Sequence, residues 1–300
     1  MSLKRNLNRA LSATTGLEVR RAGGAPRTSS PAPGATRPPK RPAPEYRCTD
    51  DPATDRLLRR PVFIMSPVRS GSTLLRMLLD AHPRLHAPHE LHIRRLEVGY
   101  GSKLSERAMD ALDLRRGDLE HLLWDRVLHR ELDRSGKDVL VEKTPSNAFV
   151  YQRIRDCWPD ARFVFLLRHP VSIARSWHEG DPEKRTYDEA CADALRYMKA
   201  VDHARKGLTG GHTLRYEELT ADPEEKLRGL CDFLGVDFEP SMLEYGKRGG
   251  ERGGTVMQKG LGDWRDKIRT GTVQQGRALP SDDEIPDILR PICRTWGYLR

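Results

Sequence analysis

One stretch limits this chain more than any other: Val62-Phe63-Ile64-Met65-Ser66-Pro67-Val68-Arg69-Ser70-Gly71-Ser72-Thr73-Leu74-Leu75. Val62 to Met65 is a short apolar, partly β-branched run, the pattern of a buried strand. Ser66 to Ser72 is small and polar, with Pro67 and Gly71 as turn residues. From Thr73, the spacing of Leu74, Leu75, Met77, Leu78 and Leu79 is helical. A strand, a tight loop and a helix place backbone N–H groups at a helix N-terminus, where they can hold an anion. The hydroxyls of Ser70, Ser72 and Thr73 are further donors, and Arg69 adds a planar cation suited to phosphate or sulfate oxygens.

The loop is not a Walker A sequence, which requires Gly-Lys-Ser/Thr after the spacer. Ser72, not a lysine, follows Gly71. The loop therefore suits one phosphate-like group better than a triphosphate. Arg-Ser-Gly-Ser-Thr-Leu-Leu after a strand resembles the 5′-phosphosulfate loop of sulfotransferases that use 3′-phosphoadenosine 5′-phosphosulfate (PAPS). The resemblance covers about residues 60–270. It departs from the family at Val68, where proline is frequent directly before the arginine; here Pro67 stands one position earlier.

Later segments extend the resemblance. Asp80-Ala81-His82-Pro83 ends the first helix, and an extended run returns the chain to Glu90. A carboxylate near an attacking hydroxyl can take its proton. The segment is similar to the one that carries the catalytic glutamate in tyrosylprotein and bacterial sulfotransferases, which implies Glu90 as general base. His89 and His92 are the alternatives, since other branches use histidine, and a plain loop acid is the bland reading. His82, His86, His89 and His92 do not read as a metal site, because an extended run splays its side chains. Val139-Leu140-Val141 reads as a second strand, with Glu142-Lys143-Thr144-Pro145 at its carboxyl end and a helix from about Ser146. The resemblance implies that Lys143 stabilises charge on the transferring sulfuryl group, as does Arg69.

Phe163 to Leu167 is a third strand, followed by Arg168-His169-Pro170 and a helix that carries Ser176. The Arg168–Ser176 spacing is similar to the 3′-phosphate site of the family. His212 to Tyr216 reads as a fourth strand, and Arg-Tyr-Glu-Glu-Leu there resembles the segment whose tyrosine, Tyr216, approaches the nucleotide. Lys259-Gly260, with Trp264, resembles the clamp on the 3′-phosphate. The full implied nucleotide set is Arg69, Ser70, Gly71, Ser72, Thr73, Arg168, Ser176, Tyr216, Lys259 and Gly260.

Elsewhere the pattern is plainer. Residues 103–136 read as helical with Leu119, Leu122, Leu123, Val127 and Leu128 on one face; 186–206 is a helix; Asp222 caps a helix that stops at Gly235; a last helix over 283–296 packs through Ile285, Ile288, Leu289, Ile292 and Trp296. Residues 1–21 suit a short helix, and the Pro-, Gly- and Arg-rich residues 22–45 suit a disordered linker.

Net charge enters only by its location. The chain carries +9, but residues 1–60 hold 13 Lys/Arg against 5 Asp/Glu, so the rest carries +1. A nucleic-acid-binding domain would carry its own basic face, so no nucleic-acid partner is expected of the body. No apolar run approaches the ~20 residues of a membrane span. Five scattered cysteines without Cys-x-x-Cys spacing suggest neither zinc nor a disulfide framework and fit a cytoplasmic location. The expected architecture is α/β: a basic leader, 1–58, and a single three-layer domain, 59–300, with a central parallel sheet flanked by helices, like the P-loop NTPases. The expected function is PAPS-dependent transfer to a hydroxyl of a small-molecule acceptor, leaving 3′,5′-ADP, without a metal, by a monomer or homodimer. A nucleotide kinase and a non-catalytic docking protein are the rival readings.

Overall fold

The computed structural model describes Arg47 and residues 55–246, 271–273 and 276–300. The N-terminal helix and linker read over 1–45, and the Lys259-Gly260 segment, lie outside the described residues. The four strands read from the sequence are β1 (Val62–Met65), β3 (Val139–Glu142), β4 (Arg162–Leu167) and β5 (His212–Arg215). A fifth, β2 (Leu85–His86), lies in the histidine–proline run. Two residues between Pro83 and Pro88 give no strand periodicity; β2 exists because β3 pairs with it. The sheet is wholly parallel, in the order β2-β3-β1-β4-β5.

Alternation along the strands fills both faces, as a parallel sheet between helices requires. Phe63, Met65, Leu140, Phe163, Phe165 and Leu167 enter one core, with Ile154, Ile173 and Met198. These last come from α4 (Tyr151–Cys157), α5 (Pro170–Gly180) and α6 (Tyr187–Gly207). Val62, Ile64, Val141, Val164, Leu166 and Leu214 enter the other, with Leu75, Leu78, Leu227 and Leu230. Those leucines belong to α1 (Ser72–Asp80) and α8 (Pro223–Leu234). Each fully buried side chain of this size contributes roughly 1.5–3 kcal/mol. The α8 ends obey capping rules: Asp222 accepts from Glu225 N at 3.1 Å, and Gly235 closes the helix at φ 66°.

Four expectations need correction. The helical stretch 103–136 is two helices, α2 (Lys103–Ala111) and α3 (Arg116–Ser135), broken where Asp113 takes φ 57°. The buried face of α3 keeps Leu128 of the expected leucine face but is otherwise largely polar. Glu120, His121, Trp124, Asp125 and Leu128 are buried, while Leu123 is 37% exposed. The polar members are held by partners in other elements: Arg153 meets Glu120 at 3.0 Å, and Asp125 accepts from Trp158 Nε1 at 2.9 Å and from the Leu57 and Leu58 amides. After Lys143 comes a 3₁₀ turn, Pro145–Val150, before α4 begins at Tyr151, rather than a helix from Ser146. The last helix is only α9 (Arg290–Thr295), preceded by 3₁₀ turns at Asp282–Glu284 and Asp287–Leu289. Pro286 lacks the helix donor and holds Ile285 extended, which leaves Ile288 48% exposed instead of packed.

Candidate active site

The sheet order places the carboxyl ends of β3, β1 and β4 side by side, and each is followed by residues singled out from the sequence. Ligands of open α/β sheets bind at this edge. Lys143 therefore stands beside the first loop, as neighbouring strands require.

The loop after β1 is shaped by two left-handed residues, Arg69 at φ 62° and Gly71 at φ 88°. For an arginine this conformation costs roughly 1–2 kcal/mol, and its backbone is held by Arg168, whose Nη1 donates to the Arg69 carbonyl at 2.8 Å. Gly71 is the N-cap of α1 and makes no side-chain capping bond. It has no room for a side chain either: a Cβ there would stand 2.2 Å from the Tyr216 ring. The fully buried Ser70 hydroxyl donates to the Pro67 carbonyl at 2.7 Å, a bond that closes the loop on itself. Ser72 is buried and Thr73 half-buried at the head of α1.

Arg69, Arg168, Ser176 and Tyr216 form one cluster. Arg69 Nε donates to the Ser176 carbonyl and hydroxyl, both at 3.1 Å. The Arg168 guanidinium lies 4.5 Å from the centre of the Tyr216 ring. Burial lowers the pKa of both arginines, and for Arg69 the charge of Arg168 adds to the effect. Two desolvated guanidiniums that repel each other form a set of donors suited to an anion with several oxygens. Tyr216, the first residue of α7 (Tyr216–Ala221), is thus sandwiched between Gly71 and Arg168.

The second cluster surrounds Glu90. Lys143 Nζ meets Glu90 Oε1 at 2.6 Å, and both side chains are buried. His92 Nε2 lies 3.4 Å from Glu90 Oε2. The expected base, its cation and one of the two alternative histidines are thus in contact, and His89, next to Glu90 in the sequence, is half-buried. His82 and His86 are engaged elsewhere, with the Asp237 carbonyl and with Glu131. No group of three or more potential metal ligands occurs among the described residues.

What holds Glu90 was not foreseen. It follows β2 without regular structure, so its position depends on side chains. Arg76 of α1, fully buried, donates Nη1 to the Ala87 carbonyl at 2.9 Å; Asp80 accepts from the Ala87 amide at 2.9 Å. Lys137 adds a bond to the Leu85 carbonyl at 2.8 Å. Burial raises the Asp80 carboxyl, but its bonds to His86 and Ala87 and the Lys137 charge prevail and hold it at about 2. Beyond Glu90, the Leu91 amide bonds to Glu142, and the His92 amide donates to Thr144 Oγ1 at 3.2 Å. Thr144 in turn donates to Glu142 Oε1 at 2.6 Å, and Asn147 donates to Oε2. Glu142 is completely enclosed; burial, with the charge of Glu90, pushes its pKa up to about 7. Only Glu142 and Thr144 carried a signal in the sequence: both adjoin the lysine in Glu-Lys-Thr-Pro.

The sequence model described as Sulfotransferase family matches residues 61–240. The chain belongs to the sulfotransferase family. Among curated relatives of this chain, nodulation protein NoeE of Sinorhizobium fredii is 26% identical over 58% of this chain and 50% of its own length. Protein-tyrosine sulfotransferase 2 of Gallus gallus is 22% identical over 66% and 57%. Omega-hydroxy-beta-dihydromenaquinone-9 sulfotransferase Stf3 of Mycobacterium bovis is 26% identical over 62% and 66%. The chain thus spans between half and two thirds of the length of these relatives. In fold it matches the sulfotransferase domain of the curacin biosynthetic pathway, with a TM-score of 0.58 and 23% identity over 81% of this chain and 99% of that one. The sulfotransferase domain of the Synechococcus PCC 7002 olefin synthase gives 0.55 and 24%, over 85% and 98%. The architecture is the P-loop-like α/β fold of the sulfotransferases. No helix among the described residues is long and apolar enough to cross a membrane.

Proposed function

We propose that the chain transfers a sulfuryl group from PAPS to a hydroxyl of a small-molecule acceptor, with Glu90 as general base. One observation supports this above the rest: neighbouring strands carry a helix N-terminus with glycine at its N-cap, a buried lysine–carboxylate pair and a repelling pair of half-buried arginines. The donors fit a nucleotide with two separate anionic groups. The amides at the head of α1 and the hydroxyls of Ser72 and Thr73 would hold the 5′-phosphosulfate, against Gly71. Arg168 and Ser176 would hold the 3′-phosphate, with Tyr216 beside the nucleotide. Arg69, read from the sequence as facing the sulfuryl group, turns its Nε to Ser176 and would stand between the two anionic groups. Lys259 and Gly260 are assigned a closing role from the sequence resemblance alone. When bound, PAPS supplies an activated sulfur and a 3′,5′-ADP leaving group.

The protein's part is protons and charge. Glu90 Oε1 is bound to Lys143, which leaves Oε2, the oxygen facing His92, to take the acceptor proton. Lys143 then faces both the base and the charge that develops on the transferring group. A preorganised cation in a buried site is where electrostatic stabilisation is largest. His92 braces the carboxylate or shares the proton. Residues 1–58 are read as a leader to a domain over 59–300, and the enzyme as cytoplasmic, monomeric or dimeric.

Calorimetric titration with 3′,5′-ADP, with AMP as control, tests the reading. Binding of 3′,5′-ADP alone, followed by turnover of PAPS with an acceptor hydroxyl, is expected. Equal or absent binding of the two nucleotides would overturn the nucleotide assignment.

A further inference from the structure

Beyond the two clusters, the elements that carry them converge on a third group. Arg94 lies in the 3₁₀ turn Ile93–Arg95, four residues past Glu90. Phe149 lies in the turn Pro145–Val150, six residues past Lys143. Trp177 follows Ser176 on α5, and Arg196 and Tyr197 lie on α6, which packs against both α5 and the Phe149 turn. The rings touch in series: Phe149 and Tyr197 meet edge-on with centroids 5.0 Å apart, and Tyr197 and Trp177 are 5.6 Å apart. Guanidiniums flank them. Arg94 is 5.6 Å and Arg196 5.3 Å from the Phe149 centroid; Arg196 is also 4.9 Å from Tyr197, and Arg185 5.4 Å from Trp177.

We propose that this arginine–aromatic cluster is the acceptor subsite, and that the acceptor is a hydroxylated small molecule carrying its own carboxylate or phosphate on an apolar or aromatic body. The inference rests on the sulfotransferase reading of the adjoining residues.

Three observations carry it. First, the arginines lack counter-ions: among the described residues no carboxylate lies within 4.0 Å of Arg94, Arg185 or Arg196. Arg205 and Lys206 on the same helix, by contrast, pair with Asp202 at 3.2 and 2.7 Å. Second, the Arg94 ε nitrogen is buried with no hydrogen-bond partner among the described residues. The ε nitrogens of Arg56, Arg76, Arg153 and Arg205 share that state, but their guanidiniums meet Asp160, the Ala87 carbonyl, Glu120 and Asp202 through other nitrogens. A buried guanidinium N–H without an acceptor is a group that an incoming anion would satisfy. Third, like charges are packed together. Burial lowers the Arg94 pKa, and the charges of Arg95 and Arg196 lower it further. An anion placed among them would gain from all of these charges, and the half-buried rings would hold the rest of the molecule by stacking and apolar contact. Arginines that merely covered the rings with their stems would put their N–H groups in water; the buried ε nitrogen of Arg94 does not fit that description.

The test uses the full chain and matched pairs of hydroxy acids and their methyl esters: 4-hydroxyphenylpropionate, 3-hydroxydecanoate and a hydroxyalkyl phosphate with its dimethyl ester. Binding is read by tryptophan fluorescence with 3′,5′-ADP present and absent, and transfer with PAPS. At least one anionic member is expected to bind about tenfold more tightly than its ester, the scale of one charge-assisted pair. Arg94→Gln with Arg196→Gln should bring that ratio close to one, while 3′,5′-ADP affinity stays within about twofold, since its phosphates are assigned elsewhere. The proposal is overturned if no anionic member is preferred, which includes the case in which none binds, or if the preference survives the double substitution. Failure of the underlying reading looks different: 3′,5′-ADP would not bind, whatever the ratio of acid to ester.

Discussion

At the scale of single residues, three side chains set the behaviour of the proposed chemistry. Glu90 and Lys143 form a buried pair at 2.6 Å, and removing one partner of such a pair leaves the other as an uncompensated charge. Glu90→Gln should lower kcat for transfer by about 10²–10⁴, the range for losing a general base, with 3′,5′-ADP affinity retained; kcat within a few-fold of the parent would assign the proton to His92 or His89. Glu142 is the less obvious member. Its pKa near 7 is raised by burial and by Glu90, so it is neutral below that value and charged above. The native state then binds more protons than the unfolded chain between the ordinary carboxyl value and about 7. The stability Glu142 contributes is present at low pH and is lost as pH rises through about 7. The bonds from Leu91, Thr144 and Asn147 favour the charged form, whereas burial and the Glu90 charge oppose it, so charging Glu142 sets a second negative charge against Glu90. Transfer is expected to show an inflection near pH 7 that Glu142→Gln removes. An unchanged profile in that variant would mean that Glu142 does not titrate there. The neighbouring Gly71 combines two demands, φ 88° and a close tyrosine ring. Its role was readable from its place in a strand–loop–helix turn, whereas the Glu142 network was not, because Thr144 and Asn147 lie nearby in sequence without a pattern that marks a buried carboxylate, and the third partner, the Leu91 amide, lies on a distant segment.

Among elements, helix α1 does more than end the proposed phosphate loop. Through Arg76 and Asp80 it holds the run that carries Glu90, so both clusters share one support. Asp80→Asn should destabilise the fold by roughly 1–3 kcal/mol at neutral pH, because a carboxyl held at about 2 contributes stability that is lost only as pH falls through that value. Denaturant titration at pH 7 and pH 3 checks this: the difference between the proteins should shrink at the lower pH. Helix α3 illustrates why some of the fold was hidden. Its leucines suggested one buried face, yet the chain buries Glu120, His121 and Asp125, whose interaction partners come from segments distant in sequence. Periodicity counts apolar residues and is blind to polar ones that will be paired. His121 is the exception in that face: neither ring nitrogen has a hydrogen-bond partner among the described residues, and burial lowers its pKa. The stability of its neutral form is present above the ordinary histidine value and is lost as pH falls below it. His121→Leu should therefore narrow the drop in Tm between pH 8 and pH 5. An equal drop in both proteins would assign the acid sensitivity to other groups.

For the molecule as a whole, β1, β3 and β4 were legible because they are largely apolar runs bounded by turns, and their order then brought the separate motifs to one edge. What the sequence did not disclose is how the far end of the chain reaches that edge. Glu217, one residue past Tyr216, accepts from the His169 amide at 2.8 Å with one oxygen and from the Tyr298 hydroxyl at 2.7 Å with the other. Tyr298 meets the His169 ring edge-on at 5.0 Å, and Arg215 lies 4.4 Å over it while donating to the Trp296 carbonyl at 2.5 Å. The chain after α9 is thus fastened to the residue that follows Arg168. Burial and the Glu217 charge raise the Tyr298 pKa, so its hydroxyl remains a donor at any working pH. Tyr298→Phe keeps the ring and removes one hydrogen bond to a carboxylate, which is worth roughly 1.5–3 kcal/mol. If that bond helps fix the Arg168 turn, the variant should lose 3′,5′-ADP affinity by several-fold along with some thermal stability, and Arg168→Ala should abolish any further effect of the tyrosine change. A lower Tm with unchanged affinity would make the clasp purely structural. Coupled losses would mean that the last residues of the chain hold the nucleotide edge in shape from a distance.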